Sequence, residues 1–217
     1  FSEDPVHERL VVDGPVGALP CPLEHEAFES LEEVLAKLDR YSTLGAKRMH
    51  AQGRRGSLAA AVFLPGSPDA GPWPAILDAV PYRKDDDFRW LDWATYAAIA
   101  DEGVACVRVD CRGTGSSGGV LEDEYAEVEL CDHEDAIAWI ARQPWCSGRV
   151  GMTGVSWGGF TAVQVAMRRP PALGAIAPIH FTVDRFGCDV HCLGGRPTVL
   201  EQLAWPGSML VENALPP

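Results

Sequence analysis

Residues Gly154-Val155-Ser156-Trp157-Gly158-Gly159 decide how the rest of this chain is read. They match G-x-S-x-G, and their flanks supply the context that the pattern needs. Before them, Arg149-Val150-Gly151-Met152-Thr153 reads as a short buried strand. After them, residues Gly159 to Arg169 read as a helix stopped by Pro170-Pro171. A serine at a sharp strand-to-helix turn is a nucleophile elbow. Its strained backbone and crowded surroundings call for glycine on either side. The hydroxyl then stands clear of the sheet, above a helix N-terminus that favours developing negative charge. The plain alternative is a serine that merely turns the chain.

Outward from the elbow, strands and helices alternate. Leu58 to Leu64 reads as a strand ending at the Pro65-Gly66 turn, Ala75 to Val80 as one ending at Pro81, and Val104 to Val109 as one ending at Asp110. Trp93 to Asp101 reads as a helix. Leu130, Ile137 and Ile140 mark one stripe of a second helix, over about 126–142, and Ala175 to Ile179 reads as a last strand. The alternation over about residues 75–180 implies an α/β fold, a mostly parallel sheet with helices on both faces. Ligands of such sheets bind beyond the carboxyl ends of the strands, so the loops after Val80, Val109 and Thr153 share one rim. Near the N-terminus, Phe28, Leu31, Leu35 and Leu38 fall on one face of a further helix whose other face is acidic. The expected organisation is an acidic extension over 1–47, a sheet core over 48–180 and an incomplete cap over 181–217.

Composition excludes several classes. The chain has 217 residues, enough for one sizeable core, with 47% hydrophobic and 23% charged residues. No apolar run approaches the roughly 18 residues of a membrane span. A formal net charge of -13 argues against nucleic acid and anionic membrane as partners, since phosphate binding needs basic patches. The seven cysteines are odd in number and form no C-x-x-C pair. They read as reduced thiols, which with the lack of an export signal points to a cytoplasmic protein.

Three further features carry or exclude chemistry. Tyr82, in Pro81-Tyr82-Arg83-Lys84, has a hydroxyl on the rim that either donates a hydrogen bond to a substrate or packs beneath it. Gly113-Thr114-Gly115-Ser116-Ser117-Gly118 is literally G-x-G-x-x-G, but it leads to Glu122, Asp123 and Glu124 rather than into a helix. Those charges repel phosphate, so a tight rim turn is the better reading than a dinucleotide site. Arg112 reads as a structural ion-pair partner. Among the histidines, His133 lies on a helix stripe as a packed or half-exposed residue, while His180 and His191 lie near the rim. No H-x-x-x-H or H-E-x-x-H pattern supports a metal site.

Taken in order, four segments resemble the cocaine esterase and Xaa-Pro dipeptidyl-peptidase-like hydrolases, the CocE/NonD group. They are Pro81-Tyr82-Arg83-Lys84, the run from Asp110 to Gly119, Gln143-Pro144-Trp145-Cys146 and the elbow. The resemblance covers about residues 56–205. It implies an alpha/beta-hydrolase core, a helical cap inserted after the strand near Ile179 and a C-terminal β-sandwich. It also implies hydrolysis of a small-molecule ester or amide through an acyl-enzyme, with no cofactor. By position, Ser156 would be the nucleophile, and the Trp157 backbone N–H with the Tyr82 hydroxyl would form the oxyanion hole. Asp184, Asp189 and His191 sit where relatives line the substrate entrance, some of them holding an α-amino group with carboxylates. A fold retained without chemistry, as a binding protein, is the alternative.

The chain departs from the family in two places. Residues 1–50 do not match, and Met49 to Gly56 lacks the usual hairpin turn. The triad acid and base are expected to be absent, because the fold's order is Ser, acid, His and only 61 residues follow Ser156. His180 has no acid between it and Ser156, and Asp189 and Asp184 lie two and seven residues from His191, too close for separate rim loops. The sheet is expected to lack its last strands, leaving an open edge prone to aggregation.

Overall fold

The computed structural model of this protein describes residues 57–85 and 89–214. The acidic extension over 1–47 and its helix lie outside the described residues. Within them, five strands form one sheet: β1 (Ala60–Phe63), β2 (Trp73–Val80), β3 (Ala105–Asp110), β4 (Cys146–Val155) and β5 (Leu173–Ile179). Their order is β1-β3-β2-β4-β5. The last four are parallel in space, and β1 pairs antiparallel to β3 at one edge. A short two-stranded sheet of β6 (Cys192–Leu193) and β7 (Arg196–Pro197) follows.

Helix α1 (Arg89–Asp101) covers one face, and α2 (Glu127–Ala141) with α3 (Trp157–Arg168) covers the other. Alternation along β2 and β3 sorts the two faces. Leu77, Ala79, Val107 and Val109 join Met152, Ile137, Ile140, Ala162 and Val165 in the main core. Asp78 and Arg108 point the other way and tie α1 down. Arg108 Nε bonds Asp78 at 3.1 Å and also pairs with Asp92, and the Tyr96 hydroxyl donates to Asp78 at 2.7 Å. Burial pushes the Asp78 carboxyl above its ordinary range, although Tyr96 and Arg108 act against that rise.

The expected boundaries shift where backbone pairing outlasts the apolar pattern. Strand β4 runs ten residues rather than five because its pairing with β2 and β5 extends beyond Arg149–Thr153. Helix α1 starts at Arg89, four residues ahead of Trp93. Helix α3 ends where Pro170 dictates, with Arg169 left-handed at φ 58° as its cap. The segment expected as the start of a cap holds the β6–β7 hairpin and α4 (Val199–Ala214). None of the helices among the described residues is long and apolar enough to cross a membrane.

His133 is buried to 1% exposure against Cys111, whose Sγ lies 3.7 Å from Nε2. Burial lowers its imidazole from 6.5 to about 4, with Asp132 acting weakly the other way. The unfolded chain thus takes up a proton below pH 6.5 that the folded chain refuses until about pH 4. Acidification through that window favours unfolding, by about 3 kcal/mol at its foot. Denaturant melts of the wild type and His133→Leu at pH 7 and pH 4.5 check this. The stability of the wild type relative to the variant should fall on acidification, and a constant difference between them would contradict the assignment.

Candidate active site

The carboxyl ends of β2, β3 and β4 meet at one rim, and Asp110 organises it. This aspartate ends β3 and is fully buried. Its Oδ1 accepts the Lys84 backbone N–H at 2.5 Å, its Oδ2 accepts the Ser116 N–H at 2.8 Å, and the Lys84 ammonium lies 3.7 Å from Oδ2. Asp110 therefore clamps the Tyr82 loop to the glycine loop. Gly115, at φ 51°, lies so close that a Cβ there would collide with the Asp110 carboxylate. The G-x-G-x-x-G segment wraps its own chain: Gly113 N–H bonds Gly118 O, Gly118 N–H bonds Ser57 O, and Ser117 Oγ donates to Asp110 O. Arg112 pairs with both oxygens of Asp132 on α2.

Ser156 sits between β4 and α3 at φ 54°, ψ -111°, a left-handed conformation rare outside glycine. Its N–H bonds Ile179 O at 2.9 Å, and its carbonyl accepts the Phe160 N–H. A Cβ at Gly154 would overlap the Gly158 backbone, so strand and helix approach closely enough to force the turn. Serine at a helix N-cap commonly caps the helix with its side chain. Here the Ser156 hydroxyl makes no such bond.

Tyr82 and Trp157 are brought together across this turn. The Trp157 backbone N–H donates to the Tyr82 hydroxyl at 3.2 Å, and the Tyr82 ring packs edge-on against Trp205 at 5.7 Å. Trp157 is held from the other side by Glu129, on the first turn of α2. Glu129 Oε1 accepts the indole N–H at 3.0 Å and the Thr161 hydroxyl at 3.1 Å, and Oε2 accepts the Tyr125 N–H at 2.8 Å. Burial raises the Glu129 carboxyl above its ordinary range, and these three donors oppose the rise.

Beside Ser156 opens a cavity of about 690 Å³, walled in part by Tyr125, Trp157, Phe160, His180, Asp189, His191 and Trp205. Asp189 is buried, its Oδ2 bonded to Arg185 Nε at 2.8 Å and its Oδ1 to the Val190 N–H at 2.7 Å. Asp184 lies outside the cavity lining and accepts the Gly187 N–H at 2.8 Å. His191 stacks loosely on Trp205, with ring centroids 6.0 Å apart. Neither His180 nor His191 hydrogen-bonds the Ser156 hydroxyl among the described residues. A smaller groove, over Leu58, Val107 and Trp139, carries Asp135 as its one ionisable residue.

Cys111, Glu129 and His133 bring donor atoms within 4.8 Å of one another, as no other group does among the described residues. The Glu129 oxygens are already committed to three donors, and burial pushes the Cys111 thiol well up and keeps it protonated. The trio is thus a packed part of the core.

Sequence reasoning missed Glu129, Asp110 as a clamp, Arg185 and Trp205. One signal was available: a buried indole N–H needs an acceptor, and Trp157 implies one. With 31 acidic residues in the chain, that need did not single out Glu129.

Comparison with known proteins identifies the family. The model of the X-Pro dipeptidyl-peptidase (S15 family) matches residues 55–215. Cocaine esterase of Rhodococcus sp. is 38% identical over 150 residues, covering 68% of this chain and 25% of that protein. The chain therefore spans about a quarter of the length of the curated relatives it matches. Among solved structures, a CocE/NonD family hydrolase from Staphylococcus aureus superposes with a TM-score of 0.60 at 27% identity, over 71% of this chain and 30% of that one. An alpha-amino acid ester hydrolase follows with a TM-score of 0.51 at 28% identity, over 64% and 25%. By its motifs, its sheet and the span of the match, this chain belongs to the X-Pro dipeptidyl-peptidase (S15) family, whose members are serine esterases and peptidases of the alpha/beta-hydrolase fold.

Proposed function

We propose that this chain is the nucleophile-bearing part of a serine hydrolase that cleaves an ester or amide bond through an acyl-enzyme at Ser156. One observation carries the reading. Ser156 is held left-handed at a helix N-terminus with its hydroxyl unused as a cap, next to a paired N–H and O–H donor. A turn serine needs neither the strain nor the neighbours.

In this mechanism the Ser156 oxygen attacks the substrate carbonyl and passes its proton to a base. The carbonyl oxygen takes up negative charge between the Trp157 N–H and the Tyr82 hydroxyl, which separate to receive it. The tetrahedral intermediate expels the alcohol or amine, and water then releases the acyl group by the same steps. Glu129 fixes Trp157 through its indole, and Asp110 fixes the Tyr82 loop through the Lys84 N–H. Both act as positioning residues. Asp189 is committed to Arg185 and the Val190 N–H rather than to His191, which supports a base and acid supplied from sequence outside these 217 residues.

Two measurements test the reading. In a form of the protein extended to carry an acid and a histidine, a fluorophosphonate probe should label Ser156, and Ser156→Ala should abolish the labelling. A probe that leaves the serine untouched would favour a non-catalytic binding protein. In the same form, Tyr82→Phe should lower kcat on the order of 100-fold with the fold intact. A nearly normal kcat would remove Tyr82 from the mechanism. Residues 1–217 alone should turn over a p-nitrophenyl ester negligibly, because a serine without its base keeps only binding and oxyanion stabilisation. Efficient turnover by this chain, lost in Ser156→Ala, would instead point to His180 or His191 as the base.

A further inference from the structure

We infer that Arg185 determines the charge selectivity of the cavity beside Ser156, setting it for a flat, uncharged group. The inference rests on the proposed role of that cavity as the substrate site. Three charged side chains bear on it, Glu124, Asp189 and Arg185, together with the imidazoles of His180 and His191. Arg185 links the first two: its Nε bonds Asp189 at 2.8 Å, and its Nη1 stands 3.9 Å from Glu124 Oε2. The Asp189 side chain is only 5% exposed. A carboxylate buried that deeply needs a permanent cationic partner, and the second Asp189 oxygen is already taken by the Val190 N–H.

The guanidinium also lies between two aromatic rings. Its central carbon is 4.3 Å from the Phe160 ring centre and 5.2 Å from that of Tyr125. Tyr125 packs in turn on Trp157 at 5.8 Å and on Phe160 at 6.0 Å. A cation held over two rings gains from their negative faces as well as from the carboxylates, which fixes it in the wall. A substrate ammonium entering here finds the place beside Asp189 and Glu124 already filled. A substrate carboxylate reaches a guanidinium whose charge two acids outweigh. Both signs are disfavoured, and a neutral flat group is not.

The carboxylates near the cavity mouth are occupied by groups of this chain: Asp189 by Arg185, and Asp184 by the Gly187 N–H.

The test uses binding rather than turnover, so its result is independent of whether Ser156 is a nucleophile. Benzyl alcohol, benzylammonium and benzoate are titrated into the 217-residue chain and followed by NMR shifts of the cavity residues. Wild type should bind benzyl alcohol more tightly than either ion. Arg185→Met keeps the stem against the rings and frees both carboxylates. It should gain about tenfold for benzylammonium, and adding Asp189→Asn should remove the gain. Arg185→Lys should keep the wild-type order. Should Arg185→Met not fold, Asp189→Asn alone serves: it leaves the guanidinium facing Glu124 only and should gain for benzoate. The inference falls if wild type prefers benzylammonium or binds none of the probes. It also falls if the charge variants leave the order unchanged, or if the gain survives Asp189→Asn. Loss of serine labelling with these binding results intact would fault the catalytic reading alone.

Discussion

The close approach of β4 and α3 at the elbow is the constraint on which the site depends. Without side chains at Gly154 and Gly158, the helix starts directly against the strand that precedes it. Ser156 then has no conformation available but the left-handed one, at a cost of order 1–3 kcal/mol. That cost is offset by the packing of α3 on the sheet, where Ala162 and Val165 are fully buried, and by the bond from the Ser156 N–H to Ile179 O. The same geometry puts the Trp157 N–H at the free end of the helix, where no earlier carbonyl of the helix accepts it. A strained serine and an available backbone donor are therefore two results of one steric fact.

Two buried carboxylates transmit that fact to the rest of the rim. Asp110 joins the β2 and β3 loops, and Glu129 joins α2 to the elbow helix. Neither is a cheap stabiliser, since taking a carboxylate out of water costs several kcal/mol before its hydrogen bonds are counted. Each is surrounded by donors that an apolar residue would leave unmatched. Glu129 faces an indole, a hydroxyl and a backbone N–H, so replacing the carboxylate strands all three donors, whereas replacing one donor leaves the other two bonds in place. Such networks give a unique placement more than they give stability. For a site whose donors must stand within a few tenths of an ångström of a developing charge, placement is the quantity that matters.

The elements were legible where the signal was local. Turn residues and hydrophobic runs located the strands from β1 to β5 and the helices around them, and Pro170 marked the end of α3 correctly. The antiparallel direction of β1 was not legible, because an apolar run fits either direction of pairing. At the site, Ser156 came from its own motif, and Trp157 and Tyr82 from the resemblance that four segments carry together. Asp110, Glu129 and Arg185 act between segments distant in the chain: Glu129 meets Trp157 across 28 residues, and Asp110 meets Lys84 across 26. An acidic residue in a chain with 31 of them carries no mark of which donor it will face. Asp184, Asp189 and His191 show the converse. The family resemblance suggested one function together, but Asp184 serves its own turn while Asp189 and His191 reach the cavity wall.

If Ser156 is the proposed nucleophile, the facing of its two neighbouring donors has a chemical use. A part-buried backbone N–H at the start of a helix cannot be left without an acceptor cheaply. The Tyr82 hydroxyl supplies one, accepting from Trp157 at 3.2 Å. In the proposed mechanism a carbonyl oxygen at Ser156 replaces that bond with two, one from each donor. The exchange is close to neutral for an uncharged carbonyl and strongly favourable once the oxygen becomes an anion, because charge-assisted bonds are about twice as strong. The pairing thus costs the ground state a bond that only the transition state returns in full, which is the differential binding that accelerates a reaction. For the proposed role a tyrosine suits this position better than a second backbone N–H, since only a hydroxyl can accept from Trp157 before the substrate binds and donate to the charged oxygen afterwards.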